Sequence, residues 1–308
     1  MDIKSELMQK NGLVAIKLAR EFMTMSVDDR LSTIAAYAEK YDSARGTVQA
    51  ALKLLEDHKA IGLEARGHLG TFLRHIDYKT LWQFTDLGTI MGVMPLPYSR
   101  LYEGLATGLY KTLEDKDIPF SLAYMRGAEK RIEALGTGRY DFAIVSKLAA
   151  NYSIRNGAEF EIAVELNKLS YVSEHVLIFA DENQESIKDE MKIGIDRTSI
   201  DHYLLTLDQC KGKKVELVDL TYNQIMIKLT AGEIDAAIWN ADEIKERKLG
   251  LKYHAMKEDK YDGADTEAVI VVNKNNYGVK NLLAQFISAY EVDEYQKQVL
   301  SGKLIPSY

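Results

Sequence analysis

The chain has 308 residues, 46% of them hydrophobic and 28% charged, and its 39 Lys and Arg against 46 Asp and Glu give a formal net charge of −7. No apolar run approaches the ~18 residues a membrane helix needs, and the single Cys210 excludes an internal disulfide or a zinc site of several thiolates. The opening stretch MDIKSELMQKNG lacks the apolar segment of an export signal and the histidines show no metal-ligand spacing, so the expectation is a cytoplasmic protein without metal or other cofactor.

Three helical stretches come first. GLVAIKLAREFMTM, from Gly12, places Leu13, Ile16, Leu18, Ala19 and Phe22 at helical spacings, which predicts an amphipathic helix. STIAAYAEKY follows, with Ser32 as its expected N-cap and Ile34, Ala35 and Ala38 turned inward. In ARGTVQAALKLLED, Val48, Ala51, Leu52 and Leu55 share one face, while Arg45, Gln49 and Lys53 recur on the other. Only Tyr41 to Ser43 separate the second helix from the third, which predicts the sharp crossing of a helix-turn-helix. AIGLEARGHLGTFL then alternates around Gly67 and Gly70, a hairpin tipped by Arg66 and His68.

Such an arrangement suits duplex DNA. A helix fits the major groove, offering N-terminal side chains to base edges and free backbone N–H groups to phosphate. Arg45 is matched to guanine, Gln49 to adenine and Thr47 to phosphate or a thymine methyl. The candidate DNA-contacting set is Ser32, Thr33, Ser43, Arg45, Gly46, Thr47, Gln49, Lys53, Arg66, His68 and Thr71. Residues 1–80 carry 12 Lys and Arg against 11 acids, so these cations have to be concentrated on one face. The competing reading of the same residues is plain scaffold.

Residues 28–73 resemble the winged helix-turn-helix head of the GntR-type regulators. The likeness rests on Arg30-Leu31 before the second helix, on Arg45, Thr47-Val48, Ala51-Leu52 and Leu55 through the third, and on Ile61 and Gly70-Thr71-Phe72 in the wing. Two positions depart from that pattern. Ala44 stands where the family has a capping serine, so Ser43 caps one residue early or the cap is lost, and Ser32 replaces a proline.

Periodicity lapses around HIDYKTLWQFTD, which places a linker at 77–88 between a head of 1–76 and an α/β region of 89–308. Strand-like and helical runs alternate beyond it: Thr89–Met94, a helix to Leu113, Phe120–Tyr124, a helix from Ala128, and Phe142–Val145. That order predicts a parallel sheet flanked by helices. An internal repeat follows. AEKRIEALGTGRYDFAIVS from Ala128 and YNQIMIKLTAGEIDAAIWN from Tyr222 align without a gap, pairing Leu135 with Leu229, Gly138 with Gly232, Asp141 with Asp235, Ala143 with Ala237 and Ile144 with Ile238.

Two similar lobes facing across a cleft are the expectation, lobe I at about 89–170 and 273–308 and lobe II at about 178–266. In open parallel sheets ligands settle beyond the carboxyl ends of strands, where helix N-termini offer free N–H donors. Tyr98, Ser99 and Arg100 follow the first strand, Arg126 the second, and Arg197, Thr198 and Ser199 open the second lobe. Ser146-Lys147 and Asn240 end the repeated strands, and Tyr222 starts the second repeat. Arg100 and Arg197 suit a carboxylate or phosphate. His175 and His202 read as surface or hinge residues, and no nucleophile elbow or phosphate loop is present.

These features resemble the type 2 periplasmic-binding-protein fold, which implies two chain crossings, for which 170–180 and 265–273 are the candidates. A winged head joined to such a domain is similar to the YhfZ group of regulators across nearly the whole chain, and that likeness carries no ligand. The resulting expectation is a multidomain protein, a winged helix-turn-helix followed by a two-lobed α/β domain. It would bind operator DNA as a homodimer under control of a small, anionic metabolite. The alternative is a cytoplasmic binding protein or biosynthetic enzyme of the two-lobed fold with a vestigial head. The segment 291–308 reads either as a helix completing lobe I or as a dimer contact.

Overall fold

A computed structural model describes residues 10–114, 118–248, 250–256 and 260–308. The chain opens with helices α1 (Lys10–Phe22), α2 (Ile34–Lys40) and α3 (Arg45–Asp57), the hairpin β1 (Ile61–Ala65) and β2 (Thr71–Ile76), and α4 (Tyr78–Phe84). Then come β3 (Ile90–Met94), α5 (Arg100–Glu114), β4 (Phe120–Tyr124), α6 (Ala128–Gly136), β5 (Phe142–Ser146), α7 (Lys147–Arg155) and β6 (Phe160–Glu165). The next stretch holds β7 (His175–Phe179), β8 (Lys192–Ile195), α8 (Ile200–Gln209), β9 (Glu216–Asp219), α9 (Tyr222–Thr230) and β10 (Ala236–Asn240). It ends with α10 (Ala241–Glu246), β11 (Tyr253–Ala255), β12 (Ala268–Asn273), α11 (Tyr277–Phe286) and α12 (Ala289–Leu300). Two compact units result, one built of the described residues up to Ile90 with 118–119 and 276–285, the other of the rest.

In the first unit α1 buries Val14, Ala15, Leu18, Ala19 and Phe22. Leu13, expected inward, is 62% exposed because it shares its helix face with exposed Lys17 one turn on. α2 starts one residue later than expected: Thr33 is the N-cap, its hydroxyl accepting from Ala36 N at 3.2 Å. Tyr37 is the buried residue of α2 and Ala35 is exposed, since the Tyr37 ring fills the space between Phe22 (edge-on, 6.4 Å) and Tyr41 (stacked, 5.9 Å). α3 buries Val48, Ala51, Leu52 and Leu55 as its periodicity requires, but begins at Ala44 with no side-chain cap.

The expected linker is partly helix. Asp77 caps α4, accepting from Lys79 N (3.1 Å) and Thr80 N (3.2 Å), and Leu81, Trp82 and Phe84 are buried. Under two turns long, α4 cannot establish a period, which is why the stretch reads as irregular. Arg20 Nε donates to Thr85 O at 3.0 Å and ties α1 to its end. Residues 276–285, expected in lobe I, cluster with this first unit, where Asn281 Nδ2 donates to Met23 O at 2.5 Å.

The second unit holds two five-stranded sheets, ordered β4-β3-β5-β12-β6 and β11-β7-β10-β8-β9. Both are mixed. β3 runs parallel to β5, and β8 to both β9 and β10, whereas β12 is antiparallel to β5 and β6, and β7 to β10 and β11. The antiparallel strands β7 and β12 are those reached by crossing between sheets. The crossing segments 166–174 and 260–267 are joined to each other, Tyr171 N donating to Thr266 O (2.9 Å), and Ala268 N at the start of β12 donates to Ser170 Oγ (3.0 Å).

The repeat is real in three dimensions. α6 and α9 have nine residues each, β5 and β10 five, and every boundary is offset by the same 94 positions as the sequence alignment. Gly138 (φ 73°) and Gly232 (φ 68°) take the left-handed turn after each helix, a conformation that a side chain would strain. Asp141 then exchanges bonds with Met91, N to O and N to Oδ2, both 2.8 Å. Asp235 does the same with Lys192 at 2.7 and 2.6 Å. The C-terminal helix α12 packs on α5, which has Gly104 and Gly108 at the contact, and a Cβ on either would lie within 3 Å of α12 atoms. Of the two readings of 291–308, the observed contact is the intramolecular one.

Candidate functional site

In the first unit, the face opposite the buried stripe of α3 carries Arg45, Gln49 and Lys53, all exposed, with Gly46 and Thr47 beside them at the helix start. A groove between α3, the start of α2 and the hairpin is lined by Ser32, Thr33, Gln49, Lys53 and Thr71, with Arg30 at its edge. Gly70 takes φ 99°, a conformation that a side chain would strain, and Arg30 Nε lies 2.8 Å from where its Cβ would be. Leu31 N donates to Thr71 O at 2.8 Å, so Arg30-Leu31 is stitched to the second strand of the hairpin. Arg66 is not a free tip cation, because Glu64 (2.7 Å) and Asp28 (3.1 Å) pair with it and its guanidinium lies 4.4 Å over Phe72. His68 is exposed on a 3₁₀ turn, and Ser43 makes no cap.

In the second unit a cavity of about 90 Å³ lies at the carboxyl ends of strands from both sheets. Leu96, Tyr98, Tyr102, Arg126 and Arg131 line it from the first sheet's side, and Asp196, Ser199, Asp201, Tyr222, Asn240 and Glu243 from the second. Tyr171 and His175 close it where the chain crosses.

Most of its charged groups are already engaged. Arg131 donates to Ile144 O (3.0 Å), Met125 O (2.8 Å) and Tyr171 OH (2.9 Å). Asp196 accepts Thr198 N (2.9 Å) and Oγ1 (2.7 Å) on one oxygen and Tyr222 N (2.8 Å) on the other. Buried His202 accepts from Asp196 N through Nδ1 (3.2 Å) and donates to Ile238 O through Nε2 (3.0 Å). Burial holds it neutral, with a pKa pushed down to about 4. Burial also lowers His175, but the 2.6 Å bond to Asp265 and the carboxylates behind it outweigh that and raise the imidazole above its ordinary value. His202 is buried and not a surface residue, whereas partly buried His175 stands where the chain crosses between the sheets.

Two acids are different. Asp201, 5% exposed, accepts one bond, from Ser146 Oγ to Oδ1 at 2.5 Å, and burial lifts its pKa to about 6 against the pull of His175 and Ser146. Glu243, 2% exposed, accepts from Tyr222 OH at 3.1 Å on Oε1, with Arg247 3.9 Å from Oε2. Burial lifts it to about 7, opposed by Arg247 and Tyr222.

Of the expected ligand residues, Tyr98, Arg126, Ser199, Tyr222 and Asn240 reach the cavity. Ser146 acts on it through Asp201, and Thr198 through Asp196. Ser99 accepts from Tyr102 N (3.4 Å) at the start of α5. The two arginines assigned to an anion lie elsewhere, Arg100 donating to Val299 O (2.8 Å) and Arg197 pairing with Asp219, and Lys147 pairs with Glu165 and Glu267. Sequence reasoning missed Arg131, Asp201 and Glu243. Their signal was present, a charge on the apolar face of an amphipathic helix: Arg131 between Ala128 and Leu135, Asp201 ahead of Leu205, Glu243 beside Ile244.

Residues 27–73 match a family model described as a helix-turn-helix domain, and residues 77–308 match the YhfZ C-terminal domain. The chain is 37% identical over 308 residues to the protein YhfZ of Escherichia coli (strain K12), covering 99% of this chain and 100% of that one. The crystal structure of YhfZ from Shigella flexneri superposes with a TM-score of 0.64 at 36% identity, over 75% of this chain and 98% of that one. The periplasmic aliphatic sulphonate binding protein SsuA from Escherichia coli superposes with a TM-score of 0.53 at 15% identity, over 70% and 75% of the two chains. The last likeness establishes the fold of the two-sheet unit.

Proposed function

The chain belongs to the YhfZ family, and on that premise we propose that it is a cytoplasmic transcriptional regulator whose operator affinity is set by a small molecule held between the two sheets of its C-terminal domain. The supporting observation is the pairing, in one chain, of a helix-turn-helix domain with a binding-protein fold whose cavity collects polar groups from both sheets. Such a head is needed for reaching DNA and has no part in catalysis. The exposed row Arg45, Gln49 and Lys53 is the reading surface, since a helix edge of this kind fits the major groove. Binding as a homodimer follows from reach: one recognition helix touches too few bases for selectivity, and a two-fold protein meets a palindromic operator. A ligand that favours one lobe arrangement shifts operator affinity through its differential binding, with a coupling of about 1–3 kcal/mol.

The test is selection of genomic fragments by the full chain. Arg45→Ala with Gln49→Ala is expected to abolish selective capture, at a cost in thermal stability near zero because both side chains are exposed. Capture of the same fragments by the double variant would remove the proposed reading surface.

A further inference from the structure

Resting on the reading that the cavity is the effector site, we propose that its ligand is a small primary amine, with the ammonium group held between Asp201, Glu243 and the ring of Tyr222. The argument is a count of what the cavity's groups still lack. Of the basic groups facing inward, Arg131 already donates to three protein oxygens and His175 is bound to Asp265 through Nδ1. Both oxygens of Asp196 are occupied. What remains on the two deeply buried acids is acceptor capacity. Among the described residues Asp201 Oδ2 accepts no hydrogen bond, and Glu243 Oε2 has only Arg247 at 3.9 Å, beyond hydrogen-bonding distance.

Inside a partly buried cavity an acceptor is best filled by a donor that also carries the opposite charge. An ammonium supplies three donors and the opposite charge at once. The walls suit it too. Tyr222 is stacked on Trp239 (4.0 Å, 7°) with Tyr98 6.0 Å away, and Tyr102 meets Tyr171 edge-on at 5.2 Å. Aromatic faces attract a desolvated cation. An anionic ligand would meet the opposite: its charge would sit beside two carboxylates, while Arg126, at the exposed rim, already donates to Tyr98 OH at 2.6 Å. The cavity's volume of about 90 Å³ favours a small amine.

The experiment uses the full chain, calorimetric titration and thermal unfolding, with methylamine, ethanolamine and 1,4-diaminobutane set against ethylene glycol, acetate and phosphate. At least one amine should bind and raise the unfolding midpoint, while the neutral and anionic probes should not. The near-isosteric Asp201→Asn and Glu243→Gln should each weaken that amine by about tenfold or more, the usual loss of a charge-assisted bond. Tyr222→Phe, which keeps the ring, should change affinity far less. Amine binding unaffected by both carboxylate variants overturns the proposal. So does a small-molecule extract of cells that stabilises the wild type but not Tyr222→Ala while all three amines are inert, and that result leaves the effector reading intact. Inert amines with an inert extract overturn both.

Discussion

Residues 128–146 and 222–240 are one device used twice, and they differ where the chemistry is. The shared residues hold backbone: Gly138 and Gly232 turn the helix end, and Asp141 and Asp235 clamp the neighbouring strand. The unshared ones set the cavity. Ala128 and Tyr222 stand at equivalent places in its wall, one a small residue and the other a stacked aromatic ring. Arg131 reaches into the cavity with three hydrogen bonds, whereas its counterpart Ile225 is fully buried in an apolar cluster. A nearly symmetric frame thus carries an asymmetric site, and the frame can be perturbed separately from the site.

The sharpest way to break the comparison is to make the first copy like the second. Arg131→Ile leaves Ile144 O, Met125 O and Tyr171 OH without their donor in a buried setting. The expected cost is about 3 kcal/mol or more in urea unfolding, since each buried acceptor left without its partner costs about 1–3 kcal/mol. In the second copy Ile225→Val should cost only ~1 kcal/mol, the loss of one buried methylene. Equal stability of Arg131→Ile and wild type would mean that the arginine has no structural task and the two copies are interchangeable.

The acids give the next largest effect, through pH. Glu243 has an ordinary value of 4.5 and a folded value of about 7, so the folded state holds the proton more tightly. Its contribution to stability is therefore complete below 4.5 and disappears as pH rises through about 7, a loss on the order of 2–3 kcal/mol. Asp201, raised to about 6, acts in the same direction over a lower window. The groups facing Glu243 are Tyr222 on α9 and Arg247, Glu246 and Asp242 around its own helix; those facing Asp201 are Ser146, His175, Asp265 and Arg131. His202 opposes them. Its value falls from 6.5 to about 4, so its contribution is present above 6.5 and lost as pH falls towards 4. Glu243→Gln should flatten the decline in unfolding free energy between about pH 5 and pH 8, leaving the acid limb set by His202 unchanged. A variant whose profile follows the wild type would place the proton elsewhere.

The frame was far more legible in the sequence than the site. A gapless repeat, the i, i+4 stripe of α3 and the glycines of the hairpin are local patterns that backbone geometry enforces, and they located β5, β10, α3 and the wing. The site depends on which turns meet after folding. Ser99 and Arg100 stand at a helix start and Arg197 just before one, yet the cations turn to Val299 O and Asp219. Arg131, Asp201 and Glu243 are instead helix residues on apolar faces, and their partners lie on other elements. Residue type and position suggested ion binding; only the folded hydrogen bonds reveal that the arginines hold protein oxygens while Asp201 Oδ2 and Glu243 Oε2 keep acceptor capacity. The short helix α4 was hidden for a different reason, since seven residues are too few for a period to declare itself.

The smallest effect tests the ends of the two repeated strands. Ser146 and Asn240 are both N-caps, accepting from Ala149 N at 2.9 Å and Asp242 N at 2.8 Å. Each Ala substitution should cost ~1 kcal/mol, the ordinary value of a cap. Stability alone therefore should not tell them apart. Ser146 has a second task, donating its hydroxyl to Asp201 Oδ1, a bond that favours the ionised carboxylate. Removing it should move the Asp201 titration, followed by carboxyl carbon NMR, further upward, whereas Asn240→Ala should leave that titration in place. The same carboxylate is the proposed amine ligand, so Ser146→Ala should also weaken amine binding at neutral pH by keeping part of Asp201 protonated. If both cap variants shift Asp201 alike, the asymmetry between the strand ends reflects general loosening of the helices, and the hydroxyl of Ser146 does not control the acid.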